Sequence, residues 1–225
     1  ASPFLLTLAC SSSTPPPEAP EAPARHGAHH EHGLHKDFSD AEGFAKHFDD
    51  PARDAWQQPA AVMDLMRIAP GSTVVDLGAG TGYFVGALSE RVGEGGNVLA
   101  LDVEAKMIEF LGQRVKAAQL ANVEPRLVAP DDPGLEPASV ARILIVNTWH
   151  HIDERPSYSR KLAAALAADG EVWIVDFTLD SDFGPPAQYR LPAEQVIREL
   201  EQGGLRAQIV EPEPLPKQYI VRAVR

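Results

Sequence analysis

The 225-residue sequence is poor in cysteine and in basic residues. Its single cysteine, Cys10, can build neither a disulfide framework nor a thiolate metal site within one chain. The 20 lysines and arginines are outnumbered by 32 aspartates and glutamates, which gives a formal net charge of −12. Because phosphate backbones require a cationic face and no basic cluster stands out, we expect no nucleic-acid partner. The sequence leaves the oligomeric state open.

The N-terminal apolar stretch, residues 3–10, is too short to span a bilayer. It is typical of the end of a secretory signal and resembles a bacterial lipobox, with Cys10 as the lipid-modified residue and Ala9 before it. We interpret residues 1–10 as the remnant of such a signal. The expected location is the cell envelope, lipid-anchored or periplasmic, with membrane contact only through Cys10. A cytoplasmic protein with an accidental cysteine is the alternative.

Residues 11–37 combine proline, small polar residues and histidines. This composition buries too little apolar surface to offset the entropy of ordering, so we predict a flexible linker. A catalytic metal site needs rigid ligands and an ordered second shell, so we expect none here, and at most weak metal binding. The folded domain is then expected to span residues 38–225. The histidines of the linker are His26, His29, His30, His32 and His35.

Beyond the linker, short apolar runs alternate with stretches of helical periodicity. Runs rich in β-branched residues predict buried parallel strands. The alternation predicts an α/β, Rossmann-like, doubly wound and mostly parallel seven-stranded sheet with helices on both faces. The short connection between the last two strands predicts one antiparallel C-terminal strand. The predicted strands are 74–77, 97–102, 123–129, 141–147, 171–177, 205–211 and 218–224, and the predicted helices are 41–47, 60–69, 83–92, 104–119, 153–168 and 193–202.

A glycine loop, Gly78-x-Gly80-x-Gly82, follows the first predicted strand. Glycines between a strand and a helix let the backbone approach a ligand closely. Tyr83 stands where the dinucleotide fingerprint has its third glycine, so an NAD(P) oxidoreductase is disfavoured, and the P-loop lysine motif is missing as well. Asp102 ends the second strand, where a ribose-binding carboxylate belongs in such folds.

The stretch VVDLGAGTGYF, residues 74–84, resembles the first motif of class I S-adenosylmethionine (SAM)-dependent methyltransferases. The stretches FDDPARDAWQQP, NTWHHID and FGPPAQYRLP are similar to an envelope-associated bacterial subgroup of that superfamily whose substrate is unknown. The resemblance implies SAM as cofactor and methyl transfer to a small-molecule acceptor. A SAM- or S-adenosylhomocysteine (SAH)-binding envelope protein without catalysis is the alternative. An arsenite-type methyltransferase is disfavoured because the domain has no cysteine.

The resemblance also implies residues that bind the cofactor. Asp76 is expected to hold the loop and the methionine amino group, and the three loop glycines to line the methionine and the ribose. Asp102 is expected on the ribose, Val103 and Met107 on the two faces of the adenine, and Asp131 or Asp132 on its amine.

Polar residues follow the fourth and fifth predicted strands at their carboxyl ends, where open α/β sheets bind ligands. His150, His151 and Asp176 are therefore candidate general bases, although each could instead cap or pack a structural element. Asn147 is expected to orient the amino-acid part of SAM or the acceptor.

Two flanking segments contribute further candidate site residues. Arg53, Trp56 and Gln57 precede the first core helix, and Trp56 is interpreted either as a lid that excludes water or as an anchor for the N-terminal helix. Tyr189 and Arg190 lie in a proline-rich loop and are expected to line the acceptor pocket.

Overall fold

The computed structural model describes Ala1, residues 40–211 and residues 215–225. The predicted lipobox cysteine Cys10 and the predicted linker 11–37 with its histidines lie outside the described residues. The chain divides into two units, residues 1–31 and residues 32–225, and the second contains the sheet. Within the described residues, no helix has the length and apolar character needed to cross a membrane.

A seven-stranded sheet with the order β3-β2-β1-β4-β5-β7-β6 forms the centre of the fold. Strands β1 to β5 pair in parallel, whereas β7 runs antiparallel to both β5 and β6. The predicted mostly parallel sheet with one antiparallel C-terminal strand is therefore confirmed. The strands are β1 Thr73–Leu77, β2 Asn97–Asp102, β3 Val123–Leu127, β4 Val140–Val146, β5 Leu166–Phe177, β6 Arg206–Ile209 and β7 Gln218–Val224.

Helices cover both faces of the sheet because successive strand residues point to opposite sides. Val75 and Leu77 pack in the core beneath α6 and α7, whereas Val74 packs in the core beneath α3, α4 and α5. Two short helices, α1 and α2, precede these layers. The helices are α1 Ala41–Phe48, α2 Asp54–Gln57, α3 Pro59–Met66, α4 Val85–Val92, α5 Ala105–Ala117, α6 Arg155–Ala165 and α7 Ala193–Gln202.

Several predicted boundaries differ from the structure by one to three residues, and the boundary between α6 and β5 is wrong by up to five. The helix expected at 153–168 ends at Ala165, and the strand expected to start at residue 171 begins at Leu166. Leu166 is fully buried and pairs in parallel with Val140, across an irregularity in the β4–β5 register. Because Leu166 is buried and pairs with β4, β5 begins four residues before Gly170. The helix α6 therefore ends before this glycine.

Candidate cofactor and acceptor site

The glycine loop lies at the carboxyl end of β1, and Gly78, Gly80 and Gly82 all have positive φ, at 76°, 54° and 89°. A Cβ on Gly78 would lie 2.3 Å from Thr148 Oγ1, and one on Gly82 would lie 2.4 Å from Leu111 Cδ1. In contrast, a Cβ on Gly80 would find its nearest neighbour, the Phe48 ring, at 3.8 Å. Two of the glycines thus allow tight packing, and Gly80 keeps backbone accessible at the loop surface.

Asp102, at the end of β2, holds this loop. Its Oδ2 accepts the Gly80 N–H at 2.8 Å, and its Oδ1 accepts the Glu104 N–H at 2.9 Å. Burial raises the pKa of Asp102, and these backbone hydrogen bonds oppose the rise. Each carboxylate oxygen has a second lone pair, so Asp102 can still accept hydrogen bonds from two ribose hydroxyls.

Asp76 on β1 is buried and makes no hydrogen bond to the glycine loop in the described part of the chain. The expectation that Asp76 holds the loop is therefore wrong, because Asp102 does so. Burial and, to a smaller extent, the negative charge of Asp102 raise the pKa of Asp76 to about 7, while Arg53 opposes the rise. A bound cation would stabilise the ionised form of this carboxylate.

Arg53 lies within electrostatic range of Asp76. Its Nη1 donates to the Phe48 carbonyl at 2.8 Å, its Nη2 donates to Gln57 Oε1 at 3.1 Å, and its guanidinium lies 4.2 Å from the Tyr83 ring centroid. Its Nε is buried and has no hydrogen-bond partner among the described residues. Such an unsatisfied donor is uncommon in folded proteins. Together, Arg53 and Asp76 offer a donor for a carboxylate and an acceptor for an ammonium group.

Two buried amides, Gln57 and Gln218, and the half-buried amide of Asn147 form a closed ring beside Arg53. Gln57 Nε2 donates to Gln218 Oε1 at 2.6 Å, Gln218 Nε2 donates to Asn147 Oδ1 at 2.6 Å, and Asn147 Nδ2 donates to Gln57 Oε1 at 3.3 Å. The ring ties α2 to the end of β4 and the start of β7. The Asn147 and Gln57 amides are thus engaged within the protein, and their contact with a ligand stays a prediction. Sequence reasoning missed Gln218, which no local pattern marks.

His150 and Asp176 form a buried pair at the ends of β4 and β5. His150 Nδ1 lies 2.9 Å from Asp176 Oδ2 and 3.1 Å from Oδ1, and both side chains are 3% exposed. The Phe177 N–H donates to Asp176 Oδ1 at 2.9 Å. A carboxylate at Nδ1 favours the tautomer with its proton on that nitrogen, which leaves a lone pair on Nε2. The two candidate bases therefore act as one group, and His151 lies alongside with its ring 4.3 Å from that of His150.

Trp56 joins the N-terminal segment to the loop after β5. Its ring stacks on Phe183 with centroids 5.1 Å apart and an interplanar angle of 13°, and it lies 5.8 Å from Phe177. Trp56 therefore bridges two segments at the strand ends, which suits both the lid and the anchor interpretations. Asp49 adds a second tie that sequence reasoning missed, since its carboxylate accepts the Thr81 hydroxyl at 3.0 Å and pairs with an arginine of α5 at 2.7 Å.

Arg190 is engaged by its own loop. Its guanidinium donates to the carbonyls of Ser181 at 2.6 Å, Pro185 at 2.8 Å and Leu179 at 3.0 Å. This arrangement gives Arg190 the role of shaping the loop. Tyr189 is exposed, and its place in the acceptor pocket stays a prediction.

The residues expected around the adenine differ in exposure. Val103 is 54% exposed directly after Asp102, whereas Met107 is 1% exposed and lies in the interior. Asp132 accepts the Gly134 N–H at 2.8 Å and pairs with a lysine at 3.1 Å, and these contacts lower its pKa. Asp131 contributes its backbone carbonyl to the same lysine. Val103 thus offers an apolar surface to a ligand, and adenine contacts by the other three stay predictions.

Comparisons with known proteins agree with the fold. A family model described as a methyltransferase domain matches residues 74–170. A solved SAM-dependent methyltransferase from Aquifex aeolicus superposes with a TM-score of 0.76 and 28% identity, over 84% of this chain and 98% of that one.

Two curated relatives align over shorter stretches. A demethylmenaquinone methyltransferase from Bacillus cereus (strain ATCC 10987 / NRS 248) is 40% identical over 70 residues, 31% of this chain and 29% of the relative. A nocamycin O-methyltransferase from Saccharothrix syringae is 26% identical over 113 residues, 50% of this chain and 40% of the relative. The chain thus spans less than half the length of either curated relative. The relation to an envelope-associated subgroup stays a prediction.

Proposed function

Since this chain belongs, through residues 74–170, to the class I SAM-dependent methyltransferase superfamily, we propose that it binds SAM and transfers its methyl group to a small-molecule acceptor. The observation that carries the proposal is the position of Arg53 and Asp76, which lie within electrostatic range of each other beside the glycine loop. Arg53 offers a buried donor without a partner among the described residues, and Asp76 is a buried carboxylate that a cation would stabilise. The amino and carboxylate groups of a methionine moiety complement both.

The remaining cofactor contacts follow from the ends of β1 and β2. Asp102 accepts the ribose hydroxyls while it keeps the Gly80 N–H in place. Val103 covers one face of the adenine with apolar surface. When bound, SAM would supply a sulfonium methyl group whose carbon is open to in-line attack by the acceptor, with SAH as the leaving group.

The His150–Asp176 pair serves as the general base in this proposal. Asp176 accepts the Nδ1–H of His150 and orients the ring, so Nε2 can take a proton from the acceptor as its atom is methylated. The aromatic contact between Trp56 and Phe183 excludes water from the strand ends.

A small-molecule acceptor is supported by the charge of the chain and by its relatives. The net charge of −12 disfavours a polyanionic acceptor such as nucleic acid. The two curated relatives are named for demethylmenaquinone and for nocamycin O-methylation. We therefore place quinones and hydroxylated metabolites first among the acceptors to be screened.

The test combines calorimetry with SAH and SAH-release assays on a panel of quinones and hydroxylated metabolites. We expect SAH binding and turnover of at least one acceptor. His150→Gln should keep SAH affinity and lower kcat by about 10²- to 10⁴-fold, the usual contribution of a general base. His47→Gln, at an exposed position on α1, is the matched control. Failure to bind SAH overturns the proposal, and binding without turnover of any acceptor favours the non-catalytic alternative.

A further inference from the structure

The loop that follows β5, residues 178–191, exposes a group of apolar side chains. Five large hydrophobic side chains are exposed among the described residues, and three of them lie in this loop. Leu179, Phe183 and Tyr189 are 52%, 43% and 39% exposed, and we call these three residues the apolar rim. Single exposed hydrophobic residues are ordinary, but several in one segment mark a surface that binds an apolar partner.

Hydrogen bonds hold the backbone of this loop in place. The Arg190 guanidinium donates to the carbonyls of Leu179 and Pro185, so the two ends of the loop are tied together. Lys217, directly before β7, pairs with Asp182 at 2.6 Å and ties the middle of the loop to the sheet. The apolar rim is therefore presented by a fixed backbone, which suits recognition of a ligand of defined shape.

Aromatic contacts join the loop to the carboxyl end of β5. A Cβ on Gly184, whose φ is 86°, would lie 2.4 Å from the Phe177 ring, so the loop backbone packs directly on that ring. The preceding residue, Phe183, stacks on Trp56 with centroids 5.1 Å apart. Trp56, Phe177 and Phe183 thus form an aromatic surface at the strand end that also carries Asp176 of the proposed base.

The charges around this surface exclude an anionic ligand. The loop and the segments that contact it contain three lysines and arginines. Arg190 donates to loop carbonyls, Lys217 pairs with Asp182, and Arg53 is assigned to the methionine moiety of the cofactor. The exposed Asp180 adds a negative charge. A carboxylate or phosphate brought to this surface would therefore lose its hydration without gaining a cationic partner.

We propose that the methyl acceptor is an uncharged aromatic compound that lies against this surface, with Phe183 as a specificity-determining residue; the inference rests on the proposed function. Flat rings stack on aromatic side chains, and such contacts contribute more than the burial of their area alone. The rings of Trp56 and Phe183 lie within 13° of parallel, the geometry that a further flat ring can extend. A saturated compound of similar size gains burial without this contribution.

Binding of matched two-ring compounds to the SAH-loaded wild type tests the inference without turnover. The probes are β-naphthol, a hydroxynaphthoate that adds a carboxylate to the same rings, and the saturated decahydro-β-naphthol. Calorimetry measures their affinities, and NMR of the Trp56 indole N–H, assigned by its loss in Trp56→Phe, locates the binding. We expect β-naphthol to bind most tightly and to shift the Trp56 resonance. The Trp173 indole, which donates to Glu171, is the internal control and should not shift.

Phe183→Leu keeps an apolar side chain and removes the ring. It should weaken β-naphthol binding by about 2- to 12-fold, the usual contribution of an aromatic pair. The affinities for decahydro-β-naphthol and for SAH should stay unchanged. Phe110→Leu makes the same change at a half-buried phenylalanine of α5 and is the matched control, which should bind every probe like the wild type.

Three results would overturn the inference: hydroxynaphthoate binding as tightly as β-naphthol, an unmoved Trp56 resonance, or equal weakening in Phe183→Leu and Phe110→Leu. Sedimentation of the wild type, but not of Phe183→Leu, with phosphatidylcholine vesicles would assign the apolar rim to a membrane surface and overturn it as well. The comparison of probes needs only the wild type, so it holds even where a variant fails to fold. Absent SAH binding identifies a failure of the proposed function, whereas SAH binding without β-naphthol binding overturns this inference alone.

Discussion

The cofactor site should couple ligand binding to the protonation of Asp76. Burial raises the pKa of this carboxyl to about 7, so below neutral pH most free protein carries it protonated. The ammonium group of SAH favours the ionised form, and binding at acidic pH must therefore release a proton. One proton released per ligand corresponds to a tenfold change in affinity per pH unit. SAH affinity should rise about tenfold per unit up to pH 7 and level off above it.

The stability of the free protein should follow the opposite trend. Because the folded pKa of Asp76 lies above its ordinary value of 3.8, the folded state holds this proton more tightly than the unfolded chain. The free energy of unfolding contributed by Asp76 therefore falls as pH rises from about 4 to about 7, by up to about 4 kcal/mol, and is constant above that range.

Calorimetry with SAH between pH 5 and 8.5, in buffers of different ionisation enthalpy, measures both the affinity and the proton release. Asp76→Asn should remove the pH dependence of SAH binding. It should also remove the part of the pH dependence of the free energy of unfolding that Asp76 contributes, as measured by denaturant unfolding. Asp64→Asn, an exposed carboxylate on α3 paired with Arg91, is the control and should behave like the wild type. The coupling would be refuted if the SAH affinity of the wild type did not change with pH, or if the SAH affinity of Asp76→Asn changed with pH as steeply as that of the wild type.

Three further predictions concern single positions. Asp102→Ala should weaken SAH binding by about 30- to 150-fold, equivalent to roughly 2–3 kcal/mol, and unchanged affinity in calorimetry would remove it from the ribose site. Gly78→Ala should lower the melting temperature because the added Cβ would lie 2.3 Å from Thr148. Gly80→Ala should fold and lose SAH affinity, because its added Cβ has no neighbour closer than 3.8 Å. A loss of stability in Gly80→Ala together with a loss of SAH affinity alone in Gly78→Ala would contradict the proposed loop surface. We propose that Cys10 is lipidated in the native host. Metabolic labelling with a fatty-acid analogue should then label the wild type and leave Cys10→Ser unlabelled. Equal labelling of the two proteins would exclude a lipid anchor at Cys10.

Much of the fold could be predicted because its signals are local. Each central parallel strand is buried on both faces and reads as a short apolar run, and the β2 and β7 boundaries, Asn97–Asp102 and Gln218–Val224, agree with the prediction. The start of β5 could not be predicted, because Leu166 enters the sheet through its pairing with Val140, 26 residues earlier in the chain. Nothing in the sequence around Leu166 marks that contact.

The candidate site was predictable to the extent that strand ends define it. The glycine loop, Asp102, His150 and Asp176 all follow directly from the rule that ligands bind at carboxyl ends of strands. The actual hydrogen-bond partners were not predictable. Asp102 rather than Asp76 holds the loop, and Arg190 binds its own loop, because both outcomes depend on backbone groups whose positions only the folded chain defines.

The two residues that sequence reasoning missed most completely, Gln218 and Tyr219, are consecutive on β7. Consecutive strand residues point to opposite faces of a sheet. Gln218 therefore enters the amide ring with Gln57 on the cofactor side, while Tyr219 lies beside Asp176 on the face of the proposed base. The antiparallel register fixes both positions at once, since Gln218 pairs with Phe177 and Tyr219 with Asp176. A one-residue slip of β7 would exchange the two faces, so the register of the closing strand determines that Gln218, rather than Tyr219, meets the amides of Gln57 and Asn147.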